Sequence, residues 1–543
     1  MYGICILKYA HLCSYLSALL EVCLLANTMN SNSGLFQLIK SLSATEKRHF
    51  RISTAGYGGD KLYLKLFDAI DKQAEYDEGS IKKKLNFKSP SQFSMAKNYL
   101  RDLILESMEK VLYKTSINIQ LSKHINRIRF LVDKGLTEQA TVLLEETKAI
   151  AKKNEKFPEL ISIYEIEVWL KIARSYGTDI SSELEALHNE IVSITRQAVN
   201  YNEFLFLSLK CYTVWSSHGF RYLIEGGSLK DLKIFEQEEN ALSQAALILF
   251  YNTWQLQCMV DDDYPLMEVV LRKMLEKIHF DQQDRKMISF RFNTLNNLIL
   301  CLYTLKKFNE INYYFGELKK LSIDTHKYAD TQARASMYFL QANIELKLAM
   351  HDGNSERVSA GVSEILRGFV VFKGQYNLNI ELASLLAQSF AYFFLGDFKK
   401  SKKNLTILID EKLKSNKGKS LGLQTRLLKC LALYELGDKN LMESEARSAL
   451  RHMRKEDAIY EMERIFFSFL QNSPLFFSKS DSVDEFIKFR TKMYKIFDGP
   501  NPYKTREDIF YLEFFLNWIE SKIEGIPLIA VFRKKVIAQN ESQ

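Results

Sequence analysis

Proline is scarce in this chain. Seven prolines in 543 residues fall well below the usual share of roughly 5%. Glycine, at 22, is also low. So few breakers leave little room for a loop-rich or all-β protein, whose turns need both residues. Apolar residues make up 47% and charged residues 26%, which excludes wholesale disorder. After residue 28 no segment approaches about 18 uninterrupted apolar residues, the length a spanning helix needs. No membrane span is therefore expected in the body of the chain.

Paired cysteines are missing too. Cys5, Cys13, Cys23, Cys211, Cys258, Cys301 and Cys430 are odd in number and show no CxxC spacing. No disulfide framework or zinc ribbon is legible. The last four sit inside apolar helical patterns. They read as small core residues of a protein in a reducing compartment, so a cytoplasmic location is expected.

Catalytic spacing is likewise absent. Gly418-Lys419-Ser420 resembles the end of a phosphate-binding loop, but the glycine needed five residues earlier is Leu413. No strand pattern precedes it. Asp261-Asp262-Asp263 lacks the alternating ligands, central glycine and closing glutamate of a calcium loop. It reads as an acidic turn, with Asp263 capping a helix that starts near Pro265. The nine histidines form no HExxH, and no serine sits in a G-x-S-x-G elbow. No catalytic residue, metal ligand or cofactor site is assigned, and a non-enzyme is expected.

The formal charge of +8 is unevenly placed. Residues 36–130 hold 18 Lys and Arg against 10 Asp and Glu; residues 131–543 hold 55 of each. A local basic excess fits either a solvated face or a surface for nucleic acid, anionic lipid or an acidic partner. Residues 1–28 stand apart as an apolar stretch with three cysteines. The pattern favours a true start at Met29, with 1–28 an extension. A signal or anchor and a genuine helix are the alternatives.

Almost everything after Met29 has helical periodicity. Ser89-Pro90 supplies an N-cap and an N1 proline for a long helix from about Ser91 to Lys114. From about residue 119, apolar-periodic stretches are broken by short turns at Gly135, Gly177, Gly219, Asp262, Lys306, Gly353, Gly396 and Gly437. The spacings are 42, 42, 43, 44, 47, 43 and 41. Two helices of about 16–18 residues plus two turns fill such a unit, each helix being about 25 Å long. One hairpin cannot bury its apolar face alone, whereas stacked neighbours can.

The turns carry a family likeness. Ala391-Tyr392-Phe393-Phe394-Leu395-Gly396-Asp397-Phe398, with Ser401 three residues on, resembles the middle of a tetratricopeptide repeat. Phe130–Ala140 and Leu302–Phe315 repeat the scheme, the latter with Lys306 for glycine. The period exceeds the family's 34, and its proline after the second helix is absent. The likeness is to divergent, long-helix members over residues 119–455. It implies an all-α, right-handed superhelix (an α-solenoid) of stacked helical hairpins. Residues 29–118 would form a basic helical N-terminal domain and 456–543 a helical C-terminal cap, with breaks at Asn472-Ser473-Pro474 and Asp498–Pro502.

One further constellation lies at residues 80–114. A short helix carries Lys82, Lys83 and Lys84. The long helix that follows shows Phe93, Ala96, Tyr99, Leu100, Leu103 and Ile104 on one face and Gln92, Ser94, Lys97, Asn98 and Arg101 on the other. This is the layout of a helix-turn-helix. Gln92 and Asn98 suit adenine, Arg101 suits guanine, and Lys82, Lys83, Lys84 and Lys97 suit phosphate. A plain helical hairpin has the same pattern. The leading expectation is a non-enzymatic protein–protein interaction or scaffold protein that takes a peptide or helix in a concave repeat groove. A DNA-binding regulator with a repeat-array sensor is the alternative.

Overall fold

A computed structural model describes residues 34–42, 44–55, 62–112, 116–175, 177–218, 233–260, 263–281, 284–326, 331–412, 419–455, 461–472, 481–498 and 509–541. Residues 1–28, Gly219, Asp261, Asp262, Leu413, Gly418, the segment 473–480 and the segment 499–508 lie outside these. The fold is all-α: twenty-three α-helices and no strand among the described residues. Packing divides the chain into two units. Among the described residues, one comprises residues 34–203 with 242–246, and the other comprises 204–241 with 247–541.

The amino-terminal unit holds two separate cores. The first is built by α1 (Gly34–Ser41), α2 (Ala44–Ala55), α3 (Leu62–Asp71), α4 (Glu78–Lys84) and α5 (Pro90–Leu112). On α5 the positions Phe93, Ala96, Leu100 and Ile104 fall on one helical stripe, and they meet Ile39, Phe50, Phe67 and Ile81. Ser89 caps α5, its hydroxyl accepting from the Gln92 amide at 3.1 Å. The second core gathers Leu121, Ile125, Leu144, Ile163 and Tyr164. Its helices are α6 (Ile117–Asp133), α7 (Thr137–Lys153), α8 (Phe157–Arg174) and the start of α9 (Ser181–His218).

In the carboxy-terminal unit a two-helix rhythm prevails. After α10 (Gln244–Val260) and α11 (Tyr264–Lys277) come four hairpins. They are α12 (Arg285–Thr304) with α13 (Phe308–Thr325), α14 (Thr331–His351) with α15 (Ser355–Val371), α16 (Leu378–Phe394) with α17 (Phe398–Ile407), and α18 (Lys419–Glu435) with α19 (Lys439–Lys455). First helices touch one another in sequence: α12 meets α14, α14 meets α16, and α16 meets α18.

Each hairpin turn solves the same two problems. The first helix must end, so one residue takes a left-handed backbone: Lys306 (φ 59°), Gly353 (66°), Gly396 (80°) and Gly437 (73°). The next amide then reaches back to close the helix, as Asp397 N–H does to the Tyr392 carbonyl at 2.8 Å. The second helix must start, and at the three glycine turns the Asn or Asp that follows caps it, whereas Lys307 at the Lys306 turn makes no side-chain cap. Asn354 accepts from Arg357 N–H, and Asp397 from Lys400 N–H, at 3.0 and 3.1 Å.

One helix is longer than the repeat unit provides for: α9 runs unbroken over 38 residues to His218, and the turn expected at Gly219 lies outside the described residues. Two 3-10 turns, Lys233–Phe235 and Glu238–Asn240, follow it. Phe204, Phe235 and Phe250 pack there as a ring cluster, with centroids 5.1 to 6.2 Å apart.

The last four helices are α20 (Glu461–Asn472), α21 (Asp481–Asp498), α22 (Ile509–Glu524) and α23 (Leu528–Glu541). The final pair reaches back to α12, α14, α16 and α18 rather than ending on the last hairpin alone.

Candidate interaction surfaces

The ends of the first helices form a seat for α22 and α23. Phe514 and Phe515 of α22 meet Phe390 at 4.9 and 5.9 Å, and Phe514 also meets Phe393 at 5.7 Å. Trp518 packs edge-on to Tyr434 at 5.4 Å. Its Nε1–H donates to Glu435 at 2.6 Å, and Lys522 pairs with the same carboxylate at 2.5 Å. From α23, Phe532 meets Phe394 at 5.4 Å. Phe514, Phe515, Trp518 and Ile519 are fully buried. Burying such side chains stabilises by roughly 1.5–3 kcal/mol each, so this pair is a firmly held part of the fold. The ends of the first helices α12, α14, α16 and α18 are therefore covered by the chain itself.

Charges are caught in the same seam. The Glu513 carboxyl lies 3.5 Å from the Tyr303 hydroxyl. Burial pushes its pKa up, partly opposed by Lys306, His351 and Lys535. Burial pushes the Lys535 ammonium down, partly opposed by Glu513 and Glu520. Sequence reading missed this surface. The signal was in α22 itself, whose Phe510, Leu512, Phe514, Phe515, Leu516, Trp518 and Ile519 leave it apolar on nearly all sides. A helix apolar all round is buried on all sides.

The structure places the helix-turn-helix candidates on α4 and α5 and ties several of them down. Lys82 and Lys97 both pair with Glu78, at 2.6 and 3.1 Å, and both lie over the Phe93 ring. Lys82, by its hydrogen bond, holds the Glu78 carboxyl below its ordinary range, with help from Lys97. Lys97 is thus half-buried rather than on the outer face. Gln92 accepts from the Lys88 amide at 3.1 Å, and Arg101 pairs with Asp102 at 3.2 Å. Lys83, Lys84 and Asn98 are exposed. Tyr99, expected in the core stripe, is exposed and packs at a tilt against Tyr63, with ring centroids 4.4 Å apart. Its position lies at the edge of the buried arc, where α3 offers a ring and no pocket. The outer face of α5 carries Arg101 and Lys110 beside Asp102, Glu106 and Glu109.

Open apolar positions remain on α6 and α8. Phe130 stands five residues before Gly135 and Ile172 five before Gly177, so they occupy the same place in successive hairpins, and both are exposed. One helical turn before Ile172, Trp169 is 70% exposed. Tryptophan buries more area than any other side chain when covered.

Cys258, Cys301 and Cys430 are buried thiols; burial pushes the Cys430 thiol far up, with Glu445 adding to it. Among the described residues no cluster of His, Cys, Asp and Glu is placed to hold a metal ion, and no helix is long and apolar enough to cross a membrane. No family model, curated protein or solved structure matches the chain.

Proposed function

We propose that this chain is a non-enzymatic interaction scaffold of the cytoplasm. It is built of tetratricopeptide-like hairpins arranged as a right-handed α-solenoid. Its partner is a protein or peptide that docks on the outward side of α6 and α8. The observation that carries the reading is Trp169, a large ring left 70% exposed beside Ile172, with Phe130 at the matching place one hairpin earlier. Exposed aromatics of this kind serve as anchors, since a few buried rings carry most of the free energy of an interface. The covered ends of α12–α18 support the choice of surface, because α22 and α23 already fill them.

The test is a pull-down from native lysate with residues 29–543 as bait, treated with nuclease, beside the Trp169→Ala and Phe130→Ala variants. A partner that survives nuclease and is lost with Trp169→Ala supports the scaffold reading. Equal recovery by both variants overturns the docking site. Recovery that disappears with nuclease moves the function to nucleic acid and to Lys83, Lys84 and Asn98.

A further inference from the structure

Helix α5 presents a second stripe, opposite the one it buries. Ser91, Met95, Asn98, Asp102, Leu105 and Glu109 recur at spacings of four, three, four, three and four, and all six are exposed. That is the spacing of a coiled-coil seam. Two of its positions are large and apolar: Met95 is 71% and Leu105 47% exposed. Apolar residues scattered singly over a surface need no explanation. These two are aligned, and polar groups fill the rest of the seam.

The stripe is complementary to itself. When two copies are set antiparallel, with the two-fold axis beside residue 100, Met95 meets Leu105 of the second copy. Asn98 then meets Asp102 of the second copy, and Ser91 meets its Glu109. Every layer is favourable: apolar on apolar, amide donor on carboxylate, hydroxyl on carboxylate. A two-fold axis makes each contact twice. The parallel arrangement opposes Asp102 with Asp102 and Glu109 with Glu109, which repel. We propose that α5 is a homodimer interface, antiparallel and in this register. A second copy is the occupant because the face carries, in its own sequence, the complement of each of its residues.

The seam is one helix wide and holds four apolar side chains in the pair. It falls below the roughly 1,200 Å² of a stable complex. Association is therefore weak, with a dissociation constant of roughly 10–100 μM.

The full chain would be followed by sedimentation equilibrium from about 1 to 300 μM. A monomer–dimer equilibrium is expected, with Met95→Glu and Leu105→Glu each weakening it by about tenfold or more. Both sites are exposed, so circular dichroism melts should match the wild type. Register is read by cysteine pairing. M95C mixed with L105C should give an oxidised dimer above the wild-type background, while either variant alone should not. A monomer over the whole range overturns the proposal, as does a dimer indifferent to both glutamate variants. Cross-linking by M95C alone as strong as by the mixture overturns the antiparallel register.

Discussion

Arg533 on α23 donates its Nε–H to the carbonyl of Gly353 at 2.8 Å, across 180 positions of chain. The contact joins the last helix to the turn between α14 and α15. It explains why that turn holds glycine for two separate reasons. The φ of 66° favours glycine by itself. In addition, a Cβ there would lie 2.5 Å from Arg533 Cγ and 3.1 Å from the Arg533 amide nitrogen.

Gly396 provides the control. Its φ is 80°, but a Cβ there meets nothing within 4 Å. Gly396→Ala should cost only the left-handed strain, about 1–2 kcal/mol. Gly353→Ala adds a clash with the backbone of α23 and should cost about 2–4 kcal/mol. Urea denaturation read by tryptophan fluorescence separates the two. Equal midpoints would mean that α23 does not press on this turn.

Trp518 tests the same seat from α22. Its ring is fully buried and its N–H is held by Glu435, which Lys522 also holds. Trp518→Ala should lose about 3–5 kcal/mol from the ring alone. Trp518→Phe keeps most of the packing but drops a hydrogen bond to a charged group, a loss of about 1.5–3 kcal/mol. Calorimetry should show both variants melting early, with the alanine variant first. If Glu435→Gln proves as damaging as Trp518→Ala, the ring packing is not the dominant tie.

Turn chemistry was legible because it is local. A glycine for the left-handed residue and an Asp or Asn for the next cap sit side by side in the chain, as Gly396-Asp397 and Gly353-Asn354 do. The all-helical content was legible for the same reason. The return of α22 and α23 was not, because aromatic residues at a helix end look alike whatever covers them. Phe393 meets Phe398 within its own hairpin at 5.0 Å and Phe514 from far along the chain at 5.7 Å. Only the first contact is implied by the repeat. The ties of the basic candidates divide in the same way. Glu78 stands four residues before Lys82, a pairing the sequence offers, but nineteen before Lys97, a pairing only the fold creates.

Two glutamates should titrate with opposite consequences for stability. Lys277 and Tyr251 hydrogen-bond the Glu238 carboxylate and hold its pKa down at about 2, against an ordinary 4.5. A depressed acid stabilises the fold above its unfolded value, and the gain is lost as pH falls from about 4.5 towards 2. Glu238→Gln should therefore flatten the acid limb of the stability profile in that window. Glu513 runs the other way, because burial raises it. Its native form prefers the proton, so its charge is destabilising above the folded pKa. Glu513→Gln should raise the urea midpoint at pH 7 and give no gain below pH 4. A Glu513→Gln midpoint that falls at pH 7 would show that the carboxylate is held by its cationic neighbours instead.

Trp169 and Leu170 are adjacent on α8 and should separate binding from folding. Leu170 is buried in the core shared by α6–α9, so Leu170→Ala should cost about 2–5 kcal/mol. Trp169 faces outward, and Trp169→Ala should leave stability within about 0.5 kcal/mol. A partner that binds only the folded chain at this ring would raise the wild-type melting temperature with the logarithm of its excess over the dissociation constant. It should leave Trp169→Ala unmoved. A melting shift that survives Trp169→Ala would place the partner elsewhere. A large loss of stability from Trp169→Ala alone would mean that the ring supports the fold and is not an open anchor.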